Sequence, residues 1–98
     1  MVLDAVFGDP VVRTQAVDVA TSRSLPARLV ECTCSDLAVH RSRIEGRVRG
    51  IPGWDELTWA DVERTRARCA PWTEDRLVLD AVTPFDDNLA RALADLTD

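Results

Sequence analysis

A chain of 98 residues, 46% hydrophobic and 30% charged, has the length of one domain or part of one and the composition of a globular protein. Its net charge of −5, from 12 basic and 17 acidic side chains, argues against the basic face that a nucleic-acid backbone requires. All 12 basic residues are arginines, which excludes chemistry built on a lysine amine: Schiff bases and the phosphate-binding lysine of a Walker A loop.

In chain order, residues 2–7 are an apolar run rich in β-formers, stopped by Gly8-Asp9-Pro10 and predicted as a strand. Asp9 suits an N-cap and Pro10 the first helical position, so a helix is expected from there to about Ser22, with Val12, Ala16, Val19 and Ala20 on one side. Residues 28–34 read as a second strand, ending at Ser35 as the cap of a helix over residues 37–49. Gly50-Ile51-Pro52-Gly53 ends that helix, and Thr58-Trp59-Ala60-Asp61 resembles a capping box opening another that reaches about Cys69. Residues 77–82 make a third strand, and a last helix follows Thr83-Pro84 with Phe85, Leu89, Ala92, Leu93 and Leu96 on one face.

Strands separated by helices imply crossovers and a parallel sheet, so the fold class is α/β, with about three parallel strands and four helices in a single partial domain spanning residues 1–98. Leu3 and Leu29 are accordingly expected on parallel strands of one sheet. The pentapeptide Val-Leu-Asp-Ala-Val occurs at 2–6 and at 78–82, which two parallel strands ending in loops can reach by convergence. The acidic start without a basic leader, and the lack of any uncharged apolar stretch near the ~20 residues of a membrane helix, point to a cytoplasmic protein with no membrane partner. Cys32, Cys34 and Cys69, odd in number, are read as packed core thiols rather than disulfide or metal ligands.

Several segments together resemble the P-loop small-molecule kinases, the group around gluconate kinase-like, adenylylsulfate kinase-like and zeta-toxin-like ATP-binding proteins, often labelled AAA-family ATPases. Residues 2–7 look like their third strand, ending in an acid beside the phosphates. Leu29-Val30-Glu31-Cys32 with Ser35-Asp36 looks like the fourth strand and the entry to the lid. Arg43-Ile44-Glu45-Gly46-Arg47 is similar to the lid signature R-L-x-x-R, with Ile for Leu. The segment from Gly50 to Trp59, with Pro71-Trp72, looks like one branch of the group, and residues 77–84 look like the last core strand and the adenine-contacting loop. The resemblance covers nearly the whole chain and implies a partial P-loop NTPase-type three-layer fold with a lid over about residues 37–70. The family opens with a strand, a G-x-x-x-x-G-K-[ST] loop and a helix, none of which is present. Its first strand lies between the third and fourth, so its loss leaves a hole in the sheet.

By that resemblance, Asp4 orients an acceptor hydroxyl or Mg²⁺, Arg43 and Arg47 carry phosphoryl charge, and Thr83 and Pro84 border the adenine. The residues alone allow plainer readings: Asp4 and Asp80 as strand-end caps, Thr83-Pro84 as a helix cap, and the arginines, four apart on one helix face, pairing with acids such as Asp36 or Glu45. Trp54, Trp59 and Trp72 form either an acceptor wall or the packing of a small subdomain, and His40 is read as a surface or core histidine rather than a base. The complete enzyme would transfer the γ-phosphate of ATP, with Mg²⁺, to a small-molecule acceptor. This chain alone is expected to bind neither ATP nor Mg²⁺ and to be inactive as a transferase. The alternative is a stand-alone acidic α/β interaction module that self-associates through unpaired strand edges.

Overall fold

A computed structural model describes residues 1–97, which run in the order α1 (Pro10–Thr21), β1 (Val30–Thr33), α2 (Leu37–Glu45), α3 (Trp59–Arg68), β2 (Leu77–Asp80) and α4 (Phe85–Thr97). Helix starts follow local chemistry. Asp9 caps α1, accepting from the Val11 N–H at 2.8 Å, and Pro10 takes the first position. Thr58 and Asp61 form a reciprocal capping box on α3. At α2 the cap is Asp36, not Ser35: its carboxylate accepts from Val39 N–H at 3.1 Å.

Helix α2 stops at Glu45, short of the expected Arg49, with Gly46 as its C-cap. Glycine weakens a helix by about 1 kcal/mol relative to alanine. Beyond it the Glu56 carboxylate accepts the N–H groups of Arg49 and Gly50, which holds them in a loop.

The sheet has two strands, not three. β1 and β2 pair in parallel with Val30 opposite Leu77 and Thr33 opposite Asp80, as expected for an α/β chain. Residues 2–7 form no strand, and Leu3 shares no sheet with Leu29. Two causes are visible. No described strand lies beside them to complete a ladder, and Phe7 turns into the left-handed region at φ 49°, where its carbonyl accepts the Arg13 Nε at 2.6 Å.

Helix α4 packs on β2 and α2 on α3, while among the described residues no helix packs against β1. Among the described residues no apolar side chain is fully buried. Surface accessible to water is 7689 Å², against roughly 5,600 Å² for a compact chain of this mass. The Cα radius of gyration is 15.5 Å, against about 13 Å for a closed domain of this length. Cys32, expected in a core, is exposed because nothing covers its face of β1; Cys34 and Cys69 are half-buried, and all three thiols are free.

The best-enclosed residue is a cation. Arg13 is 2% exposed and donates to the carbonyls of Phe7, Pro71 and Ala70 at 2.6, 3.1 and 2.6 Å. Its guanidinium lies 3.9 Å from the centroid of the Trp72 ring. Alongside, the Ala70 N–H donates to the Gly8 carbonyl at 2.9 Å. This seam joins the N-terminal segment and α1 to the chain leaving α3.

Candidate functional site

Open α/β sheets bind ligands beyond the carboxyl ends of their strands, so that end of the β1–β2 pair is the place to look. Asp80, the last residue of β2, accepts from the N–H groups of Ser35 and Val82, both at 3.1 Å, through Oδ1. It ties the exit of β1 to the turn after β2 and acts as the structural cap that its sequence position allows. Arg43, near the end of α2, reaches across to donate to the Ala81 carbonyl at 3.0 Å. Asn88 on α4 donates through Nδ2 to the Asp80 carbonyl at 2.8 Å and to that of Thr83 at 3.4 Å.

Of the residues singled out in the sequence, Arg43, Asp80, Thr83 and Pro84 lie at this end. Thr83 and Pro84 serve the turn into α4: Thr83 N–H donates to the Asp80 carbonyl, and the Pro84 carbonyl accepts from Asp87 and Asn88. Asp4 does not end a strand; it is exposed on the unpaired N-terminal segment. Arg47 does not share a helix face with Arg43, because α2 has already ended; it lines a shallow depression with Ile44, Arg49, Glu56 and Leu57. Arg49, expected to be solvated, is instead half-buried, 3.7 Å from Glu56, while Arg41 makes an exposed pair with Glu45 at 2.7 Å.

The three tryptophans do not form one wall. Trp54 is 73% exposed, Trp72 stacks under Arg13, and Trp59 meets the His40 ring edge-on at 5.1 Å. His40 Nδ1 lies 3.2 Å from Arg66, and the Arg66 guanidinium is 5.5 Å from the Trp59 ring, so this histidine belongs to the α2–α3 contact. Sequence reasoning missed Arg13 and Asn88. A signal existed for Arg13, a charge placed among the apolar residues of α1; Asn88 carries none, since a polar residue there is ordinary.

Four carboxylates are held below their ordinary range. The Ser35 hydroxyl and the N–H groups of Val82 and Ser35 lower Asp80, and the Thr58 N–H and hydroxyl lower Asp61. Arg49 and Gly50 N–H groups lower Glu56; its own N–H and that of Thr73 lower Glu74. A depressed folded pKa means that the native state binds fewer protons than the unfolded chain. The stabilisation is therefore present above the unfolded values, 3.8 for Asp and 4.5 for Glu, and is lost as pH falls through the folded ones. Urea midpoints are expected to be flat near neutrality and to drop below about pH 4.5, with Asp80→Asn showing a shallower acid limb.

A depression of about 200 Å³ lies at the opposite, amino ends of the strands, bordered by Arg28, Leu29, Asp75, Arg76, Leu77 and Asp95. Among the described residues no cluster of three or more His, Cys, Asp or Glu could hold a metal ion, and no helix is long and apolar enough to cross a membrane. No protein-family model matches the chain, and no curated protein or solved structure matches it either.

Proposed function

We propose that the chain is the C-terminal portion of a cytoplasmic P-loop small-molecule kinase-like protein that acts on a small-molecule phosphate acceptor when complete, and that it transfers no phosphate alone. The observation that carries this reading is a parallel strand pair with no fully buried apolar side chain, in a chain whose exposed surface far exceeds that of a closed domain. Such a pair calls for further layers and strands. The resemblance supports the same view: the segments likened to the fourth and last strands are β1 and β2, adjacent and parallel, and Arg43 from the segment likened to the lid reaches the carboxyl end of β2. Three contiguous strands are not part of the proposal. A hole between residues 2–7 and β1 is what the missing first strand would leave, and a segment without a neighbour has no ladder to join.

ATP and Mg²⁺ are what the resemblance implies, and the residues present do not fit them. There is no lysine, Asp80 Oδ1 is engaged by two amides, Arg43 already holds a carbonyl, and Asp4 stands apart on an exposed segment. No phosphoryl-transfer step is therefore drawn through them. Isothermal titration of the 98-residue chain with Mg-ATP is expected to give no heat. The DNA immediately upstream of Met1 is expected to encode, in frame, a strand and a G-x-x-x-x-G-K-[ST] loop, and the extended chain to bind Mg-ATP. An in-frame stop with no such loop, or Mg-ATP binding by the chain as it is, overturns the reading.

The open strand edges favour a second reading, a stand-alone interaction module. It requires one cooperative unfolding transition in isolation, and a chain largely unfolded by circular dichroism sinks it.

A further inference from the structure

The hydrogen-bond pattern of β1 leaves one edge free and defines which groups line it. Leu77 N–H donates to the Leu29 carbonyl at 3.0 Å and Ala81 N–H to the Thr33 carbonyl at 2.8 Å. In a parallel ladder with this register, residues 29, 31 and 33 serve the β2 side. The N–H and C=O groups of Val30 and Cys32 therefore face the other way, and none of the described residues bonds them. A short row of unpaired backbone groups of this kind is a template for an added strand.

The chain carries a segment suited to it. Residues 2–6 read Val-Leu-Asp-Ala-Val, identical to residues 78–82, of which 78–80 are the part of β2 that β1 already accepts. They lie in no strand, and Val2, Leu3 and Val6 are 90%, 52% and 66% exposed. Their base is fixed, since the carbonyls of Phe7 and Gly8 are held by Arg13 and Ala70, while the five residues themselves make no backbone hydrogen bond among the described residues.

We propose that residues 2–6 of one copy add as an outer parallel strand to the free edge of β1 in a second copy, two such additions closing a twofold dimer. The alternation that puts Leu79 and Ala81 on one side of β2 is reproduced by Leu3 and Ala5, so the added strand presents its side chains as β2 does and turns the N–H groups of Val2, Asp4 and Val6 toward β1. Backbone pairing supplies the attachment, and the exposed valines and leucine lose water on docking. The inference concerns the 98-residue chain by itself and requires neither nucleotide nor an upstream segment; in the kinase reading the same edge of β1 belongs to the upstream strand, so the two compete for it.

Sedimentation equilibrium on the full chain tests it. The wild type is expected at about twice the 10.9 kDa chain mass. Asp4→Pro removes an N–H that faces β1 in the added strand and that the single copy leaves unbonded, so it is expected to halve the mass with an unchanged far-ultraviolet spectrum. Cys32→Pro takes away an outward-facing N–H, spares the β1–β2 ladder and is expected to do the same. A monomeric wild type, an open-ended assembly, or a dimer that survives Asp4→Pro overturns the proposal. If Cys32→Pro unfolds, deletion of residues 1–6 takes its place, and a persisting dimer again overturns it.

Discussion

Replacing Arg13 with alanine is expected to destabilise the chain by about 3 kcal/mol, seen as an earlier urea midpoint when Trp72 emission and far-ultraviolet ellipticity are followed together. The side chain makes three bonds to carbonyls and stacks on Trp72, so its loss removes charge-assisted hydrogen bonds and leaves part-buried carbonyls without a donor. With no fully buried apolar side chain among the described residues to compensate, a loss of that size is most of what a small domain has. Lysine is a poor substitute. Its ammonium is a compact point charge that cannot fan toward three carbonyls while lying flat on an indole, so Arg13→Lys is expected to recover less than half of the loss. An Arg13→Ala chain with an unchanged midpoint would mean that the seam contributes nothing to stability.

Gly8→Val is expected to cost about 2 kcal/mol, and to cost about half as much when Cys69→Ala is present in the same chain. A Cβ on residue 8 would stand 3.0 Å from Cys69 Sγ and 3.5 Å from its Cα, tighter to the sulfur than most packed side chains, so the thiol must give way by a few tenths of an ångström. Space rather than backbone conformation sets the requirement, because Gly8 is not among the glycines with positive φ. The N–H of Ala70 must also keep its bond to the Gly8 carbonyl, which prevents the two segments from simply sliding apart. Removing the sulfur opens room from the other side. A double variant no better than the sum of the singles would place the strain elsewhere. The measurement is a double-mutant cycle in urea.

Local sequence was a good guide wherever a few neighbouring residues settle the outcome. The caps at Asp9 and Thr58, proline at the start of α1 and the amphipathic run of α4 all act within one or two turns, and each element stands where those residues put it. The pentapeptide Val-Leu-Asp-Ala-Val shows where such reasoning ends. At 78–82 it contributes to a strand because β1 lies beside it, and at 2–6 the same five residues remain irregular because nothing does. Strand formation is a property of the pair, and one segment cannot report its partner. The supposed arginine pair failed for a related reason. Spacing of four places Arg43 and Arg47 together only while the helix continues, and the Glu56 carboxylate ten residues after Gly46 helps hold the following chain in a loop. Arg13 illustrates the converse: its surroundings come from residues nearly sixty positions away, which periodicity does not sense.

That separation has a temporal consequence. Two of the three carbonyls that Arg13 grips belong to residues 57 and 58 places further along the chain. On the ribosome, helix α1 therefore emerges long before Ala70 and Pro71 are translated, and through more than half of synthesis the Phe7 carbonyl is the one of the three acceptors present. Closure of the seam is a late, long-range event that follows the local helices, and a nascent chain arrested before residue 70 lacks the partners that join its beginning to the chain after α3.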